Sequence, residues 1–420
     1  MEVIAILVFV VVIGLIISEK VNSAAAALAG AMVLVITGVM SAHKALSYID
    51  FNTIGLLVGM MVLVAIIRQS GLFEYVAIKA AKMVHGDPWK IMIAFILLTA
   101  ILSGILDNVT TVLLVGPMTI AIAKMLEINP VPFLMTQILA SNAGGTATLI
   151  GDPPNIMIGS AANLSFMDFL KNTGLAVALV IVFMIVIMRF VYKKEIEVEG
   201  LDTSKIMNLD PDKSITDKPL LIKGVVVIVL VILGFIFHDQ IGMETSVIAL
   251  TAAAVMLIIG GVNVDNAIQD VEWTTIAFFM ALFVVVGGLT ETGVIKQVAA
   301  VIIERTAGHP VMMMLILLWA SALLSSFLNN IPFIATLIPL VLALKADGMD
   351  AEPLWWAISL GACLGGNGTM IGASANVVLS DISTKHGYPI TFKSYLRVGM
   401  PFMLGSVFIS MVFLLVKYAI

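Results

Sequence analysis

The sequence predicts an all-α integral membrane protein made of two inverted repeats, with about 10 spanning helices, two re-entrant hairpins and two interrupted spans. Three observations predict it. Hydrophobic residues fill 60% of the 420 positions and charged residues 12%, with a mean hydropathy of +1.11, which excludes a water-soluble fold. The apolar residues fall in runs of roughly 15 to 20, long enough to cross a hydrocarbon core of about 30 Å as helix, and they lack the every-second-residue alternation of an outer-membrane barrel. Finally, the chain matches itself at a shift of 222 positions, the mark of an internal duplication.

The repeat is seen motif by motif. Asp50-Phe51-Asn52-Thr53-Ile54 meets Glu272-Trp273-Thr274-Thr275-Ile276, Gly71 meets Gly293, and Gly86-Asp87-Pro88 meets Gly308-His309-Pro310. Asn108 then meets Asn330 and Pro117 meets Pro339; after a one-residue deletion GGTATLIGDPPN (Gly144 to Asn155) meets GGNGTMIGASAN (Gly365 to Asn376). In the first half the pattern predicts spans over 3–18, 24–40 and 54–67, an amphipathic piece over 73–85, a helical pair over 90–123, an interrupted span over 133–162 and a last span over 174–192. Val3 to Ile17 is read as the first span rather than a signal peptide, because no basic region precedes it and no small-residue cleavage site follows closely. The long polar segment 193–219 is the linker, so the domains are 1–192, 193–219 and 220–420.

The arms of the pair at 90–123 meet at Leu106-Asp107-Asn108-Val109-Thr110-Thr111. Such arms either span twice or enter and leave on one side. A re-entrant hairpin leaves five crossings per half, an odd number that inverts the second half relative to the first. Basic residues give a separate test, because cytoplasmic loops are enriched in Lys and Arg. With both termini outside and the linker inside, 16 of the 22 basic residues face the cytoplasm, leaving Lys44, Lys171, Lys296, Arg305, Lys345 and Lys417 outside.

Composition also limits function. The net charge of −5 carries no sign of a nucleic-acid partner. Cys363 is the single cysteine, which rules out intrachain disulfides and cysteine metal clusters. His43, His85, His238, His309 and His386 form no ligand pair at helical spacing, and the 26 methionines read as filler of helix interfaces. There is no Walker-type loop, so ATP hydrolysis would need a separate ATPase subunit. No nucleophile and base pair marks an enzyme.

Broken helix inside a membrane is tolerated only where protein or water surrounds it, so breaks mark candidate sites. Four are expected, in two matched pairs: hairpin tips at Asp107 to Thr111 and Asn329 to Phe333, and unwound segments at Gly144 to Asn155 and Gly365 to Asn376. Half-helix N-termini there offer N–H groups to anions or polar oxygens, and C-termini offer carbonyls to cations. Gly144, Gly145, Gly151, Gly365, Gly366, Gly368 and Gly372 let the backbone turn. Asn108, Thr110, Thr111, Asn142, Thr146, Thr148, Asn155, Asn330, Asn367, Thr369, Ser374 and Asn376 offer neutral hydrogen-bonding groups. Taken singly, each Asn or Thr is equally well read as a helix cap.

Two carboxylates break the duplication, since Asp107 faces Asn329 and Asp152 faces Ala373. Acids at membrane depth are costly and usually functional, which makes these two the candidates for a proton or cation coupling site. For Asp152 the competing reading is a helix cap ahead of Pro153 and Pro154. Asp50 and Glu272, at matched entrances of the third span, read as interfacial caps; Glu74, Glu291 and Glu304 read as solvated.

The strings ILDNVTTVLLVGPMTI (Ile105 to Ile120) and SNAGGTATLIGDPPNIMIGS (Ser141 to Ser160) resemble the ion transporter superfamily. That group holds arsenite exporters, sodium/proton antiporters, citrate and dicarboxylate carriers and the melanosomal P protein, and the likeness covers nearly the whole chain. The resemblance implies an elevator-like carrier, commonly a homodimer, with its site between two hairpin tips and two unwound spans. Carboxylate carriers of the group show Ser-Asn-Thr at the tips, where this chain has Asp-Asn-Val-Thr and Asn-Asn-Ile-Pro.

The function expected is therefore secondary transport of a small inorganic ion or solute in the cell membrane, with H+ or Na+ as coupling ion and no other cofactor. Arsenite or antimonite efflux is the favoured label. Sodium/proton antiport, a di- or tricarboxylate symporter and an anion channel are the alternatives.

Overall fold

A computed structural model describes residues 1–18, 20–197, 201–306 and 309–419, with the backbone alone for 302–306. Gly308 and the side chains of Glu304 and Arg305 lie outside the described residues. The described chain is helical throughout. Its first half contains α1 (Glu2–Ser18), α2 (Ser23–Ile36), α3 (Phe51–Arg68), α4 (Leu72–Met83), α5 (Pro88–Ser103), α6 (Asn108–Met125), α7 (Val131–Thr146), α8 (Pro153–Ala162) and α9 (Leu175–Val191). The second half repeats the series as α10 (Lys218–Ile241), α11 (Thr245–Ile259), α12 (Trp273–Glu291), α13 (Val294–Thr306), α14 (Pro310–Ser325), α15 (Asn330–Ala346), α16 (Glu352–Gly365), α17 (Ser374–Lys385) and α18 (Phe392–Tyr418).

Local chemistry starts these helices where the sequence places them. Asp87 accepts the Lys90 N–H at 2.9 Å with Pro88 in the first turn, and Asn22 accepts from Ala24 and Ala25 at the head of α2; both remove orphan donors that a helix start leaves unpaired. Six helices of 18 residues or more are apolar enough to span, counting Phe166–Val191 as one. One of the six, Asn108–Met125, is an arm of the first hairpin, and α1, α2 and α11 are shorter apolar helices of 17, 14 and 15 residues. Each of α2 and α11 instead continues through a turn into a six-residue helix, Ala42–Ser47 or Val264–Gln269.

Packing follows the duplication. Helix α3 packs on α11 and α2 on α12; α6 packs on α17 and α15 on α8; α7 packs on α17 and α16 on α8. At Gly59 the α3 backbone comes so close to α11 that an added Cβ would lie 2.6 Å from the Ala249 carbonyl carbon, a small-residue contact that lets apolar helices approach. The matched helices α3 and α12 run antiparallel: Arg68 at the end of α3 pairs with Asp270 before α12 at 2.9 Å, while Glu291 at the end of α12 accepts from Tyr48 before α3 at 2.7 Å.

The linker is shorter than expected, since α10 already begins at Lys218. It is also ordered. Thr216 N–H donates to the Ser70 carbonyl at 3.0 Å beside the end of α3, and Lys205 pairs with Glu127 at the base of the first hairpin at 2.7 Å. These contacts define a linker side of the molecule, which holds the end of α3 and the start of α12.

Candidate functional site

Each half builds its break in the same way. The Ser103 hydroxyl donates to the Ser141 carbonyl at 2.6 Å, and its counterpart Ser325 to Ala362 at 2.7 Å. Thr148 donates to the Gly104 carbonyl at 2.6 Å, and Thr369 to that of Ser326. The Asn155 amide donates to the carbonyls of Gly145, Thr146 and Thr148, and the Asn376 amide to those of Gly366 and Thr369. Carbonyls at the helix ends and within the breaks thus find side-chain donors, as apolar surroundings demand. Close packing requires the glycines: a Cβ on Gly144 would lie 2.2 Å from the Ala100 carbonyl oxygen, and one on Gly365 2.6 Å from that of Ala322.

The breaks are shorter than the sequence suggested. Helix α7 runs through Gly144, Gly145 and Thr146, and Asn155 already lies in α8, so only 147–152 is unwound. In the second half 366–373 is unwound. The tips are likewise displaced: α6 begins at Asn108 and α15 at Asn330, so Thr110, Thr111 and Phe333 belong to first helical turns.

Two networks join the halves. In one, the Asn142 amide donates to Asn367 at 2.9 Å and Asn376 at 2.8 Å, while its oxygen accepts from Asn108 at 3.0 Å. Both groups of the Asn142 side chain have partners, which ties tip and break together. In the other, the Asn330 amide donates to both oxygens of Asp152 at 3.2 Å. Asp152 is 1% exposed, with the Cys363 thiol beside it; Cys363 and Ser359 also approach the Asn155 oxygen, at 3.5 and 2.7 Å.

The two acids differ in what they bind. Asp107 caps α6, accepting the Thr110 N–H at 2.8 Å and the Thr110 hydroxyl. Asp152 does not cap α8; its carboxylate turns away to the second hairpin. Glu272 is not the cap expected of it, since it makes no bond to the α12 backbone, whereas Asp50 caps α3. Glu74 is half-buried, and its Oε2 is buried without a hydrogen-bond partner among the described residues.

Asn329 and Ser374, 3.2 Å apart, stand away from both networks, in the wall of a cavity of about 520 Å³ shared with Asn22, Thr274 and Thr275. Thr110 lines a smaller one, about 50 Å³, with Arg68, Asp270 and Glu272. Both cavities therefore meet the first turns of α12, on the linker side. Thr111 is buried with its hydroxyl unpartnered. Sequence reasoning missed Ser103 and Ser325, which a shared Leu-Ser before each tip could have revealed. It also missed Ser359, which has no counterpart to signal it.

The partners around Asp152 and the breaks are amides, hydroxyls, one thiol and carbonyls; among the described residues no Lys, Arg or His takes part. Such a set suits a cation, a proton or a neutral solute.

The sequence profile described as "Citrate transporter" (CitMHS) matches residues 13–361. The chain belongs to the citrate transporter family. Its fit to this family agrees with the ion transporter superfamily that the motifs resemble. Relatives of the CitMHS chain include an uncharacterized transporter of Mycobacterium tuberculosis, 40% identical over 426 residues and covering 100% of this chain and 99% of that one. The mouse P protein is 34% identical over 495 residues, covering 97% of this chain but 59% of its own length. The YdaH transporter of Alcanivorax borkumensis shares the fold, with a TM-score of 0.63 at 15% identity over 92% of this chain and 88% of that chain. This CitMHS member is thus a multi-pass membrane transporter, not an enzyme.

Proposed function

We propose that the chain is an elevator-type secondary carrier that couples a small inorganic solute to protons or sodium, with arsenite or antimonite export as the favoured substrate. One observation carries this reading: Asp152, buried at the junction of the two halves, is held by neutral donors alone. A carboxylate so placed is stabilised by taking up a proton or a cation. Arsenite is largely neutral near pH 7, and amides, hydroxyls and carbonyls are the groups that hold such a solute.

The antiparallel run of α3 and α12 supports inverted repeats, and the exchange of packing partners between halves supports hairpins that enter from opposite sides. With the linker in the cytoplasm and both termini outside, the 520 Å³ cavity opens inward. Both tips lie level with the linker-side ends of α3 and α12 rather than their middles. Exchanging the halves would bring the tips level with Asn52 to Leu56, a travel of about 15 Å along α3 at 1.5 Å per residue. The site is assigned to the cell membrane, in a homodimer, with any ATPase subunit an added partner.

Sodium/proton antiport is the second reading, favoured by the unduplicated acids Asp107 and Asp152. A free tricarboxylate fits less well, because no cationic side chain joins the cluster. Proteoliposome uptake of arsenite, sodium and citrate, each with and without a proton gradient, tests the reading. Gradient-dependent, saturable arsenite or sodium flux supports it. Conductance that scales with voltage without saturable counterflow would establish a channel instead.

A further inference from the structure

The duplication matches Asp50 to Glu272, yet the two side chains behave differently. Asp50 is consumed locally: it accepts from the N–H groups of Asn52 and Thr53 at 3.0 and 3.3 Å and from the Thr53 hydroxyl at 2.6 Å. Glu272 leaves its helix start uncapped and accepts only from the Thr275 hydroxyl, at 2.9 Å. Glu272 and Thr110 both line the 50 Å³ cavity. Thr110 in turn donates its hydroxyl to Asp107, so this one side chain joins the acid to the cavity. The cavity has room for a water or two. The remaining charges around it are Arg68 and Asp270, already paired with each other at 2.9 Å.

We propose that Glu272 is a proton acceptor fixed on α12 that receives the proton of Asp107 when the hairpin tips lie on the linker side. The inference rests on the coupled-carrier reading above. In the step, the Asp107 acid gives its proton to the Thr110 oxygen, Thr110 releases its own hydroxyl proton to a cavity water, and that water protonates the Glu272 carboxylate, so each O–H bond broken is matched by one formed. The negative charge passes to Asp107. Glu272 then gives the proton to bulk water on the linker side and regains its charge. Because Glu272 sits at the linker-side start of α12, beside the tips only in this position, the transfer is confined to one side of the membrane.

The test reconstitutes wild type, Glu272→Gln, Glu272→Asp and Asp107→Asn in proteoliposomes with an entrapped pH dye, using arsenite and sodium gradients as drivers. Solute counterflow at equal pH is measured in parallel. Glu272→Gln is expected to slow driven proton movement by at least about tenfold and to alter its dependence on linker-side pH. Counterflow is expected to fall far less, and Glu272→Asp to recover proton movement. Wild-type proton movement in Glu272→Gln, or an equal loss of both readouts that Glu272→Asp does not repair, overturns the relay. Wild-type flux driven by sodium with no proton movement overturns the relay while leaving the coupled carrier standing; wild-type protein with no coupled flux overturns both.

Discussion

Asn330, in the first turn of the second hairpin's inner arm, donates to both carboxylate oxygens of Asp152 at 3.2 Å across 178 positions of sequence. The bond ties a tip of one half to the break of the other. It also leaves a buried charge with neutral partners only.

Asp152→Asn is expected to keep the fold, since an amide oxygen can still accept from Asn330, and to abolish proton- or sodium-dependent flux. Coupled uptake in proteoliposomes measures this. Asn330→Ala, which strips the acid of its amide donor, is expected to destabilise the protein by about 1 to 3 kcal/mol, read as a lower thermal midpoint in detergent.

Asn142→Ala removes three side-chain hydrogen bonds and leaves groups of Asn108, Asn367 and Asn376 unpaired. A loss of about 3 kcal/mol or more follows if these groups stay buried. An unchanged thermal midpoint would show that Asn142 is a ligand side chain and not a structural knot.

Gly144→Ala forces a Cβ to 2.2 Å from a backbone oxygen of α5, while a Cβ on Gly14 meets nothing within 4 Å. The first change is expected to abolish folded protein in detergent and the second to be tolerated. Size-exclusion profiles of the two variants compare them directly.

The Lys205 to Glu127 pair connects the linker to the first hairpin. Its hydrogen bond to Glu127, then its charge, hold the Lys205 ammonium above the usual lysine range. A raised lysine contributes fully at lower pH, and the contribution fades as pH climbs through the raised value. Limited proteolysis of the linker is therefore expected to quicken in strong alkali, in high salt and in Lys205→Glu. The double exchange Lys205→Glu with Glu127→Lys is expected to restore resistance.

The duplication was legible because matched Gly, Asn and Pro residues recur in register, and the breaks because a membrane tolerates unwound chain only at such places. Their extent was not, since the last turn of α7 stays helical through Gly144, Gly145 and Thr146 under the packing of α5. Nor were the roles of the acids. Asp107 before Asn108 and Asp152 before Pro153 look alike along the chain; which one turns from its own helix depends on Asn330, a distant partner. Glu272 differs from Asp50 by one methylene, and only three-dimensional neighbours reveal that it leaves the backbone free.

In the proposed elevator both tips travel together along α3 and α12. Paired cysteines measure it, because Cys363 is buried and leaves the background quiet. Thr110→Cys with Ala65→Cys should join through a short bifunctional thiol reagent in the position described, and Val109→Cys with Thr53→Cys should join in the exchanged one. Both pairs are expected to link in membranes, each link halting transport until it is cleaved. Linking of the first pair alone, with transport continuing, would contradict the elevator.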